Sequence, residues 1–173
     1  MPIIKESPAT EIIDVIPPPE LHLLLGVVNK IFDKLQALYK KAALSWAKEC
    51  GVSNVVTYGQ CGFDGNGCNM LLKNVDCLRN PSYNIGCVPF ADCLSKFRGV
   101  VDSCFGTKLK ENYVPMIAEF RSSFLSLDIN VTLKIHAVFW HIEYFCNVKK
   151  KALGYYSEQA MESAHDFFQK NFR

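Results

Sequence analysis

Residues 20–46, ELHLLLGVVNKIFDKLQALYKKAALSW, decide the fold class of this chain. Leu21, Leu24, Leu25, Val28, Ile31, Phe32, Leu35, Leu38, Tyr39, Ala42 and Trp46 recur three and four residues apart, which gathers them on one stripe of a helix. Lys30, Lys34, Lys40, Lys41 and Lys48 fall largely off that stripe. The pattern predicts one long N-terminal helix, the backbone of an irregular helical bundle. Before it, Met1 to Pro19 is proline-broken and ends in Pro17-Pro18-Pro19, so residues 1–19 are expected as an extended arm and residues 20–173 as a single helical domain.

Working outward, Gly51 to Gly67 reads as a turn-rich connection, with Val52 to Tyr58 the only strand candidate. Asp64 or Asn66 is expected to cap a short helix through Met70, Leu71, Leu72 and Val75, stopped by Asn80-Pro81-Ser82. Pro89 suits the first turn of a helix ending near Phe105 and Gly106. The next helix would be capped by Thr107 and kinked at Pro115. Another runs from about Thr132 to Val148, and a last one from Ser157 to Phe172. The class is all-α, with no internal repeat.

Composition sets bounds on function. The 173 residues are 49% hydrophobic and 21% charged with a net charge of +2, an ordinary globular balance. Overall charge is too weak to imply nucleic acid, so any DNA contact must come from local patches. The opening stretch lacks the apolar core of a signal peptide, and no run approaches the ~18 apolar residues of a membrane span. An intracellular setting is expected, with the eight cysteines as thiols and no membrane partner. None of the cysteines forms a C-x-x-C pair, and buried thiols acting as small hydrophobes are the expectation. No phosphate-binding loop, nucleophile elbow or H-E-x-x-H is present, and no small-molecule substrate is evident.

Three groups of residues could carry chemistry. His136 and His141 form H-x-x-x-x-H, but five residues along a regular helix separate them by about 140°, so they would converge only with His136 at or before the helix start. Glu158 follows Ser157 in the first turn of the last helix, where the dipole stabilises a carboxylate and a divalent ion could be ligated. Lys149, Lys150 and Lys151, with Lys170 and Arg173, make a basic end suited to phosphate. Phe139, Trp140 and Tyr144 are expected to offer an apolar groove to a partner.

Four collinear segments stand out: Leu21-His22-Leu23-Leu24-Leu25-Gly26; Gly62-Phe63-Asp64-Gly65-Asn66-Gly67 with Met70-Leu71-Leu72; the His136–His141 pair with Ile142-Glu143; and Leu153-Gly154-Tyr155-Tyr156-Ser157-Glu158-Gln159-Ala160-Met161-Glu162. Together they resemble the V(D)J recombination-activating recombinase, and the last is also similar to the ends of transposon-derived reading frames of invertebrates. The resemblance implies a fragment of a DDE-type DNA transposase of the RNase H-fold superfamily, acting in the nucleus. Such enzymes hold two Mg²⁺ ions with two Asp and one Glu, and Glu158 matches that Glu. His136 and His141 match half of the family's zinc site, whose other half is a C-x-x-C. Both Asp ligands and the C-x-x-C are missing here, so the chain alone is expected neither to cut DNA nor to close a four-ligand zinc site; a missing N-terminal half or another protein chain would complete it. A free-standing helical protein-interaction module and a small Cys/His metal-binding domain are the alternatives.

Overall fold

The computed structural model describes residues 18–53, 55–57 and 60–156. Most of the 1–19 arm, together with Glu158, Lys170, Arg173 and the helix expected from Ser157, therefore lies outside the described residues. What is described is all-α: seven helices, with one hairpin of two three-residue strands.

The expected single N-terminal helix is two. Helix α1 (Glu20–Leu38) and helix α2 (Lys40–Glu49) meet at Tyr39, whose φ of −133° and ψ of 55° leave the helical region. No helix breaker stands there, so the cause is tertiary. The Tyr39 ring meets Phe90 edge-on at 6.3 Å and its hydroxyl lies over Gly86, where a methyl group would have no room. This packing overrides the local preference for a continuous helix. The turn at Tyr39 brings Ala43, Trp46 and Ala47 of α2 into the core beside Leu35 and Phe32. Trp46 Nε1 then donates to the Asn74 carbonyl at 3.1 Å, so its polar edge is satisfied in burial.

Strands β1 (Val55–Thr57) and β2 (Gln60–Gly62) pair antiparallel, Val55 opposite Gly62, inside the stretch read as turn-rich. Asn29 ties this hairpin to α1: its Oδ1 accepts from Phe63 N–H at 2.7 Å and its Nδ2 donates to Phe63 O at 3.2 Å. Helix α3 (Gly65–Lys73) is capped by Asp64, whose Oδ1 accepts from Gly67 N–H at 2.7 Å. A 3-10 turn, Val75–Arg79, follows and stops at Asn80. Arg79 bridges Asp76 and Asp92, tying that turn to the next helix.

That helix, α4 (Val88–Cys104), is the central element, with Pro89 in its first turn. Its buried face, Phe90, Ala91, Leu94, Phe97 and Val100, meets α1, α3 and the helix that follows. Helix α5 (Tyr113–Leu125) starts later than expected, after Asn112 and not after Thr107. Pro115 therefore falls in its first turn, where a missing N–H costs nothing, and no kink results. Phe97, Phe120, Phe124 and Phe139 form an aromatic cluster, with ring centres 4.9 Å apart for Phe97–Phe120 and 5.7 Å for Phe120–Phe139. Each such ring contributes roughly 1.5–3 kcal/mol through burial.

Candidate functional site

The last described helix begins at Thr132, whose Oγ1 accepts from Ile135 N–H at 3.4 Å. Helix α6 (Leu133–His136), a π turn (Ala137–His141) and helix α7 (Ile142–Lys149) then run without a break. Ile135, Val138, Phe139, Ile142, Phe145 and Cys146 hold it to the core. The π turn is closed by Ile142 N–H donating to Ala137 O, a bond across five residues in place of four.

That turn decides the geometry of the histidine pair. His136 closes α6 and does not precede it, yet the two imidazoles are together, with ring centres 5.2 Å apart and planes at 66°. The expected separation of about 140° holds only for a regular helix; an i→i+5 turn returns the fifth residue to the same side. His136 is exposed and His141 half-exposed, so both rings are accessible. Two imidazoles bound to one tetrahedral ion at about 2.0–2.1 Å would have ring centres about 5 Å apart. The separation of the two ring centres matches that of two ligands on such an ion. Among the described residues no group of three His, Cys, Asp or Glu side chains converges, so these residues do not close a four-ligand site.

Beside the pair, Trp140 is 53% exposed, and the Arg121 guanidinium of α5 stacks 4.3 Å from its ring centre. Tyr144 and Val148 continue the exposed face along α7. Phe139 does not belong to that face: it is 3% exposed, inside the aromatic cluster. The reason is helical phase, since Phe139 shares the core side with Ile135 and Ile142.

Lys150 ends α7 in the left-handed conformation, φ 53°, with its N–H on Cys146 O and its Nζ on Asn147 Oδ1 at 2.9 Å. Lys151 stacks 4.8 Å from the Tyr155 ring centre, and Lys149 is half-buried. Residues 131–156 hold four lysines against one glutamate, 4 − 1 = +3, more than the whole chain's +2. A closing 3-10 turn, Leu153–Tyr156, packs on the loop after α4. There a Cβ on Gly154 would lie 2.5 Å from Phe105 O, so the close approach needs glycine. Gly26, in the first of the resembling segments, faces the aliphatic stem of Lys134.

The Arg121–Trp140 and Lys151–Tyr155 pairs are contacts that spacing alone does not signal. The structure brings together His136, His141 and Trp140 on one helix, with Lys149, Lys150 and Lys151 at its far end. Glu158, Lys170 and Arg173 lie outside the described residues. Among the described residues no helix is long and apolar enough to cross a membrane. Comparison with protein-family models, with curated proteins and with solved structures gave no match.

Proposed function

We propose that this chain is a transposon-derived protein of the DDE transposase type that holds DNA through the exposed face of α6 and α7 and does not cut it alone. One observation carries the reading: residues 131–156, along α6, α7 and the turn that follows, carry a lysine cluster, a single glutamate and two aromatic rings stacked on cations. Lysines at that end suit phosphate oxygens, and the Trp140 and Tyr155 rings suit exposed bases. The His136–His141 separation supports the second part of the reading, in which a zinc ion joins this helix to ligands supplied elsewhere. Glu158 would serve as one Mg²⁺ ligand of a site completed by two Asp supplied by another polypeptide.

The test is fluorescence anisotropy on a labelled duplex and on a forked duplex between 50 and 200 mM salt. Binding should weaken linearly in log salt, and replacing Lys149, Lys150 and Lys151 together by Ala should flatten the slope by about 2–3, near 0.9 for each phosphate no longer neutralised. Trp140→Ala should reduce the preference for the fork without changing that slope. A chain that binds neither DNA at 50 mM salt, or a triple variant with an unchanged slope, overturns the reading.

A further inference from the structure

Where the end of α2 meets the 3-10 turn that follows α3, two thiols come together. The Asn74 carbonyl accepts two hydrogen bonds at 3.1 Å, one from Trp46 Nε1 and one from Cys77 N–H. It thereby joins α2 to the Val75–Arg79 turn. Cys50 caps the end of α2 one helical turn beyond Trp46, with its N–H on Trp46 O at 2.9 Å. Cys77 stands one turn beyond Asn74 on the other side of that junction.

The two thiols feel one another. Burial pushes the Cys50 thiol up to about 11, with Cys77 the next cause and Glu49 the third. Cys77 thus acts on Cys50 more strongly than Glu49 does, although Glu49 adjoins Cys50 in sequence. The same groups meet again at Tyr83, whose phenol is raised by burial and then by Glu49, Cys77 and Cys50. Accessibility separates the two sulfurs: Cys77 is exposed, and Cys50 is 6% exposed. A thiol reacts as its thiolate, so the solvated Cys77 reacts ahead of a Cys50 held protonated in burial.

We propose that Cys77 and Cys50 form a site of reversible oxidation by hydrogen peroxide, with Cys77 oxidised first and Cys50 resolving it into a disulfide. The Cys77 thiolate attacks one peroxide oxygen and the O–O bond breaks. Cys77 Sγ becomes a sulfenic acid, and the hydroxide that leaves takes up the proton Cys77 had released. Cys50 Sγ then attacks the Cys77 sulfur. The S–S bond forms, the S–O bond breaks, and the second hydroxide carries the Cys50 proton away as water. Two thiols are oxidised, one peroxide is reduced and two waters leave. The bond pins the end of α2 to the 3-10 turn and closes the loop that carries the hairpin and α3. The inference does not depend on the DNA reading of α6 and α7.

The experiment treats the reduced full chain with hydrogen peroxide, alkylates the remaining thiols and digests it with trypsin and chymotrypsin. Cleavage after Lys48, Tyr58, Lys73 and Arg79 separates Cys50 and Cys77 from each other and from Cys61 and Cys68. Mass spectrometry should find the Cys50 peptide joined to the Cys77 peptide, in a link that dithiothreitol splits. The yield of that link should fall at least tenfold when peroxide is added in urea. In Cys77→Ser, an exposed change, Cys50 should lose its thiol at least tenfold more slowly, because it reacts through Cys77. In Cys50→Ser, shown to be folded by circular dichroism, Cys77 should stop at a sulfenic acid that dimedone labels. Absence of the link, Cys77 joined to Cys61 or Cys68, or Cys77 carried only to sulfinic or sulfonic acid overturns the proposal. Links between chains in a mixture of light and isotope-labelled protein do the same. So does a Cys50 thiol lost as fast in Cys77→Ser as in the unsubstituted chain.

Discussion

Gly154→Ala isolates one close approach with two calculable sides. The added methyl group would lie 2.5 Å from Phe105 O, 2.9 Å from the Gly106 carbonyl carbon and 2.9 Å from Glu20 Oε2. Two of these neighbours are backbone, which cannot rotate away as a side-chain tip can. The Leu153–Tyr156 turn must move off the loop, and overpacking of this kind costs about 1–3 kcal/mol. The ceiling is set by Leu153, 1% exposed, whose release would forfeit roughly 1.5–3 kcal/mol of burial. About 2 kcal/mol is the expected destabilisation. With a urea slope of about 2 kcal/mol/M for a chain of this size, the unfolding midpoint should fall by about 1 M. Gly106→Ala is the matched control, because its methyl group would meet no atom within 4 Å. It should shift stability by less than about 0.5 kcal/mol. Urea titrations followed by circular dichroism decide the matter. If the two variants unfold at the same urea concentration, the close approach of Gly154 to Phe105 does not exist as described.

Two further outcomes follow from buried titratable groups. Glu20 Oε2 is buried without a hydrogen-bond partner, and desolvation raises its pKa. The folded state thus binds this proton more tightly than the unfolded state, so stability falls as pH rises from the ordinary carboxylate range through the raised value, then levels. Glu20→Gln should stabilise the chain at pH 7 by up to about 1 kcal/mol, a figure kept small by partial solvent access. Denaturation at pH 3.5 should show that gain shrinking toward zero, and a gain that grows with acid would contradict the burial of Oε2. Among the seven cysteines whose side chains are described, Cys77 alone is exposed, whereas burial pushes Cys50 and Cys146 up to about 11 and Cys68 and Cys93 up to about 12. In a Cys61→Ser background a thiol-disulfide reagent at pH 8 should show one fast thiol, absent in Cys77→Ser. Several thiols reacting at one rate would mean that the core is not packed as described.

Much of the helical architecture is legible from the 3.6 period, because each helix turns one apolar stripe inward. Asp64 and Thr132 cap where their side chains can reach a free N–H, and Pro89 sits where its missing donor is harmless. The break at Tyr39 is hidden from any local reading, since it depends on Phe90 and Gly86, about fifty residues away in sequence. The start of α5 escapes for a related reason. Lys110 N–H bonds back to Ser103 O at 2.9 Å, which keeps the chain out of the helix until Asn112. For the candidate site, the residue types are legible and their convergence is not. Regular helical geometry sets His136 and His141 apart, and the π turn between them reverses that result. The Arg121–Trp140 stack joins two helices and leaves no local trace in sequence.

The π turn also ties sequence length to ligand geometry. It stores one surplus residue inside an otherwise regular helix, so the five-residue step from His136 to His141 does the angular work of a four-residue step elsewhere. Deleting one residue between the histidines while the turn relaxed to a regular helix would preserve their facing. Straightening the turn at constant length would abolish it. The histidine spacing and the backbone anomaly beneath it are thus geometrically coupled, and a change to either has meaning only in the light of the other.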